Sequence, residues 1–168
     1  SLQRIKLYWN WSEPCSTGSS ALPKVLPTGI CRRFTLTELN ENLREIYLEA
    51  YSLPDTAEYI YLYTTAELKQ IFGGNFPGYT DSEFYEMDIG TAVLMRSYMA
   101  RKCDIHFPLD RKLCRFLTAA MRVYRVPEKE QQQVLAFIQA LDIRAIAAEV
   151  MEKLFAMFEI RTKKKQSV

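Results

Sequence analysis

After Thr35 the apolar side chains recur at three- and four-residue spacing, the period of helices that bury one face. Leu36, Leu39, Leu43, Ile46, Tyr47 and Ala50 fall on one stripe, and Pro54 ends it. Phe84, Met87, Thr91, Leu94, Met95 and Tyr98 form a second stripe. Leu113, Phe116, Leu117, Ala120, Met121 and Tyr124 form a third, after the break at Pro108. Val134, Leu135, Ile138 and Leu141 follow Pro127, and Asp142 is placed to cap a last helix with Ile146 and Val150 inward. Four stretches have the form of a capping box, in which a side-chain oxygen and a carboxylate three residues on satisfy orphan amides. They are Thr35–Glu38, Asp55–Glu58, Thr64–Glu67 and Thr80–Glu83. Tyr59 to Tyr63 alternates like a strand but has no partner strand in the sequence, so it is predicted helical. The predicted class is all-α, a compact bundle of about six or seven helices joined by short loops.

Residues 1–33 break this pattern. They hold Pro14, Pro23 and Pro27, Gly18 and Gly29, and the run Ser16 to Ser20, a composition hostile to a long helix. They also carry Trp9, Trp11, Leu22, Val25, Leu26 and Ile30, which are costly to leave in water. The segment is therefore predicted to be an extended arm, with Trp9, Trp11, Leu22 and Leu26 anchoring it on its own domain or on another subunit. The expected organisation is an arm over 1–33, a helical domain over 34–160 and a basic tail over 161–168.

Composition narrows the function classes. A chain of 168 residues that is 48% hydrophobic and 25% charged can build its own core, which excludes a disordered chain and a coiled-coil rod. No run of about 18 apolar residues is present, so no membrane-spanning helix is expected. Net charge is only +2, so attraction to an anionic partner must come from local clustering rather than from the whole-protein field. The cysteines, Cys15, Cys31, Cys103 and Cys114, form no Cys-x-x-Cys pair and have no histidine at ligand spacing, against a zinc or thioredoxin-like site. They read as reduced thiols. Ser1 to Pro14 also lacks the apolar stretch of a secretory signal, so an intracellular location, cytoplasmic or organellar, is expected.

Catalytic chemistry has little to work with. His106 is the only histidine, so any Ser-His or Cys-His mechanism depends on it. The carboxylates are dispersed over caps and polar faces, and no acid–base couple stands out. Gly73, Gly74 and Gly78 lack the Gly-Lys-Ser/Thr ending of a phosphate loop, which leaves a connection plugged by Phe72 and Phe76. A non-enzyme without a cofactor is expected. The sharpest charge pattern is Arg111, Arg115, Arg122 and Arg125, within about 80° of arc on the predicted helix after Pro108 and opposite its apolar face. Such a ridge suits an acidic protein surface, RNA or lipid headgroups. Tyr59, Tyr61 and Tyr63 would spread around a helix, leaving some outward to meet a partner.

Residues 95–160 contain His106-Phe107-Pro108-Leu109, then Leu113 to Arg125 with Arg115-Phe116-Leu117, then Val126-Pro127-Glu128 and Gln133-Val134-Leu135. This layout resembles the second half of a truncated globin. Aligning the Pro108 loop sets Asp104, not a histidine, at the family's haem-ligating position. The resemblance implies a globin-like helical scaffold that no longer holds haem, or alternatively a haem protein ligated by His106. The leading expectation is a non-catalytic interaction domain that binds other protein subunits in a larger assembly. A nucleic-acid-binding module using the arginine ridge is a further alternative.

Overall fold

Prolines and polar caps set most of the helix starts. The computed structural model describes residues 25–142, together with residues 144, 145, 148, 149, 151, 152, 155 and 156. Among them are six α-helices and no strand. These are α1 (Val25–Leu39), α2 (Glu41–Ala50), α3 (Pro54–Phe72), α4 (Asp81–Ala100), α5 (Leu109–Val123) and α6 (Glu128–Gln139), with a 3-10 turn at Gly73–Asn75. Every described residue beyond Asp142 is helical. Asp142 accepts the Ala145 amide at 2.9 Å, as a helix cap does. The expected inward positions Ile146 and Val150 lie outside the described residues, as does the tail 161–168.

The first helix departs from the sequence pattern. It begins at Val25, inside the stretch predicted to be an extended arm, and runs through Pro27 and Gly29. Pro27 stands in the first turn, where its missing N–H deprives the helix of nothing. The Thr35–Glu38 box does not cap a helix, because these residues lie inside α1. Thr35 Oγ1 donates back to the Cys31 carbonyl at 2.8 Å, and Thr37 Oγ1 to the Phe34 carbonyl at 2.9 Å. The break falls at Asn40, whose side chain accepts the Leu43 amide at 3.1 Å and caps α2. Of the predicted arm anchors, Trp9, Trp11 and Leu22 lie outside the described residues. Leu26 falls in the first turn of α1, and its side chain too lies outside them.

Thr64–Glu67 is likewise interior to α3. Thr64 Oγ1 bonds back to the Ile60 carbonyl at 2.9 Å, and the tyrosine run is helical throughout. The box at Thr80 forms in full. Thr80 Oγ1 accepts the Glu83 amide at 3.3 Å, and the Glu83 carboxylate accepts the Thr80 amide at 2.7 Å.

Helix α4 occupies the centre, touching α1, α2, α3 and α5. Helix α1 completes the core by touching α2, α5 and α6 as well. The α3–α4 connection is short, and the two helices run antiparallel, with Lys69 paired to Asp81 and Thr65 bonded to Asp88. Aromatic rings fill the interior. Phe34 lies 5.0 Å from Phe116, Phe76 meets Phe84 edge-on at 5.5 Å, and Phe72 stacks on Tyr124 at 4.6 Å. The glycine turn is thus fixed from beneath by Phe72 and Phe76, both buried, while Asn75 Nδ2 donates to the Tyr124 carbonyl at 2.9 Å. A smaller apolar cluster joins Leu36 and Leu43 with Met151 of the C-terminal stretch.

Candidate interaction surface

Helix α5 sorts its cations onto two faces. Leu109, Leu113, Phe116, Leu117 and Met121 enter the core, and Arg111, Arg115 and Arg122 remain exposed. At 100° per residue the three arginines fall within about 40° of arc and span roughly 16 Å of helix axis. Asp110 is the only acid on this helix. Arg111 Nη1 donates to the His106 carbonyl at 3.3 Å. Arg115 and Arg122 form no ion pair among the described residues.

Arg125 does not belong to the ridge. Helix α5 ends at Val123, and Arg125 takes a left-handed backbone with φ 52°. The Val126 amide reaches the Met121 carbonyl at 2.9 Å, and the Arg125 amide reaches the Arg122 carbonyl at 3.1 Å. That pair of bonds is the Schellman closure, with arginine in the place usually held by glycine. The reversal carries the guanidinium over the Phe76 ring, 4.7 Å from its centroid, with Tyr79 at 5.7 Å. Its charge is used as a cation–π contact that locks the glycine turn.

Lys112 also sits on α5, yet it is 1% exposed. Its Nζ binds the Glu38 carboxylate at 3.1 Å, donates to the Arg101 carbonyl and lies 5.8 Å from the Phe107 ring centroid. Glu38 also accepts the Cys103 amide at 2.7 Å. Burial pushes the Glu38 pKa upward, but the Cys103 amide and Lys112 outweigh it, so the carboxyl sits below its usual range. This pair fastens the segment between α4 and α5 to α1, and so fixes where the arginine face begins. Sequence spacing marks Glu38 only as the carboxylate of a capping box and gives no signal for Lys112, because a lysine between arginines looks solvent-facing.

His106 is exposed in that same segment. Its amide donates to Asp104 Oδ1 at 2.8 Å, as the Phe107 amide does at 2.7 Å, so Asp104 folds the loop. Among the described residues no group of three or more His, Cys, Asp or Glu side chains is placed to hold a metal. No described helix is long and apolar enough to cross a membrane. Cys31 is buried, and burial, with Cys114 nearby, pushes its thiol up to about 12, far from a reactive thiolate.

The tyrosine run divides. Tyr61 lies between the rings of Tyr51, at 6.4 Å, and Tyr85, at 6.1 Å. Tyr63 packs against the core, and Tyr59 is the exposed member of the three. One carboxylate not singled out by sequence lies beneath them. Asp88, 3% exposed, accepts the hydroxyls of Thr64 and Thr65, the latter at 3.1 Å. Burial raises its pKa to about 6 against the lowering effect of those two bonds.

The fold and this surface together define an all-α helical bundle with a basic helix face. Comparison with protein-family models, with curated proteins and with solved structures finds no match.

Proposed function

We propose that this chain is a non-catalytic helical interaction domain, a subunit that docks on an acidic protein surface through the arginine face of α5. The observation that carries it is the alignment of Arg111, Arg115 and Arg122 on one exposed face, with Arg115 and Arg122 unpaired among the described residues. Guanidinium groups suit carboxylate partners because their fork of donors matches the two oxygens. A protein partner is favoured over RNA because the aromatic residues of this region, Phe116 and Tyr124, are buried and offer no stacking platform. The non-catalytic reading is supported by the perturbed groups themselves. Asp88 and Cys31 are sealed from solvent, and among the described residues no carboxylate pairs with the ring of the solvent-facing His106.

The test is a titration of the full chain with polyglutamate, with a homopolymeric RNA and with vesicles containing phosphatidylserine. The proposal expects salt-sensitive binding to polyglutamate that is lost in the R115E/R122E double variant. Binding of RNA or vesicles alone, or binding untouched by the double variant, would refute it.

A further inference from the structure

Helix α4 buries Phe84, Asp88, Thr91, Ala92, Met95 and Met99, and among the described residues no helix covers its opposite side. Ser82, Glu86, Ile89, Val93, Arg96 and Ala100 recur there at alternating four- and three-residue spacing. At 100° per residue they occupy about 80° of arc. Val93 is 52% exposed and Ile89 36%. Gly90 stands beside them, exposed in mid-helix, and a Cβ there would meet nothing within 4 Å. Glycine weakens a helix interior relative to alanine, and no contact among the described residues requires it here. A second backbone approaching this strip would.

We infer that this strip of α4 pairs antiparallel with the same strip of a second copy of the chain, about a two-fold axis midway between Ile89 and Val93. The charge order selects both the occupant and the direction. With Ile89 facing Val93 of the second copy, Glu86 faces Arg96 of the second copy, and symmetry repeats both contacts. A parallel arrangement would set Glu86 against Glu86 and Arg96 against Arg96, like charge on like. Glu86 forms no ion pair among the described residues, and Arg96 donates only to Ser52 Oγ at 2.7 Å, an exposed bond it can exchange. The small residues Ser82, Gly90 and Ala100 allow the two helices to come close. This face lies on a different helix from the arginines of α5, so the inference goes beyond the acidic-partner reading and stands or falls apart from it.

Sedimentation equilibrium of the full chain over a wide concentration range tests it. The wild type forms a reversible dimer, and Glu86→Arg or Arg96→Glu each weakens it by about tenfold or more. The E86R/R96E double variant restores the complementary order and returns the dimer to within a few-fold of wild type. R115E/R122E leaves the dimer intact. A wild-type chain that stays monomeric at every concentration overturns the inference. So does a double variant no tighter than the singles, because lost monomer structure is not repaired by exchanging two charges. Loss of the dimer in R115E/R122E would overturn the assignment to α4.

Discussion

Replacing Asp88 by asparagine tests the packing of α3 on α4 at its buried carboxylate. The carboxylate is 3% exposed, has two threonine hydroxyls as donors and has no cation paired with it among the described residues. Its pKa rises from 3.8 to about 6 on folding, with burial the main cause. Between those values the native state holds a proton that the unfolded chain has released, so stability falls as pH rises through the window and the full penalty stands above it. A rise of this size, at about 1.4 kcal/mol per pH unit, comes to about 3 kcal/mol. Both hydroxyl bonds end on the same oxygen, Oδ2, so the amide of asparagine keeps an acceptor for them. Asp88→Asn is therefore expected to gain stability relative to wild type as pH rises, by up to about 3 kcal/mol between about pH 4 and pH 7. Urea denaturation of both proteins across that range measures it. Subtracting one curve from the other cancels Glu38, Glu41 and Glu83, whose lowered pKa values act in the opposite sense. A difference that does not change with pH, or that moves against asparagine as pH rises, would show that Asp88 is not buried as a carboxylate at a cost to folding.

Lys112→Met leaves the Arg101 carbonyl and the Glu38 carboxylate without their cation, and a cost of about 3–5 kcal/mol is expected in chemical denaturation, partly recovered in E38Q/K112M. The glycine turn separates two neighbours. Gly78 has φ 87°, so Gly78→Ala should lose about 1–2 kcal/mol, while Gly74→Ala, with open space around it, should stay within about 0.5 kcal/mol. Thr80→Ala removes half of a formed capping box and should lower stability by about 1 kcal/mol, read as a drop in melting temperature.

The helical class was legible because most stripes keep one period over several turns, and α5 shows how far that goes. Leu113, Phe116, Leu117 and Met121 are buried as their spacing predicts. Boxes were less informative, because the same four residue types occur with different neighbours. Thr80 follows a glycine turn and caps, whereas Thr35 follows Cys31 and Phe34, whose burial carries the helix through it. Pro27 and Gly29 suggested an arm, but a proline in a first turn is compatible with a helix, so the start at Val25 was not visible from composition.

The candidate surface was half legible. Arg111, Arg115 and Arg122 stand where the helical wheel puts them. Arg125 was lost to a left-handed turn that no periodicity encodes, and Lys112 was hidden because its burial depends on Glu38, 74 positions away in sequence. Asp88 gave no signal for a similar reason, since its donors lie on another helix.

Backbone amide chemical-shift mapping of the labelled chain with an unlabelled polyglutamate peptide puts the basic face of α5 to the most direct trial. Salt-sensitive shifts are expected to gather on the exposed side of residues 111–122, leaving the α4 strip and the glycine turn unmoved. Shifts centred on the His106 loop or on α4, or none at low salt, would contradict docking through α5.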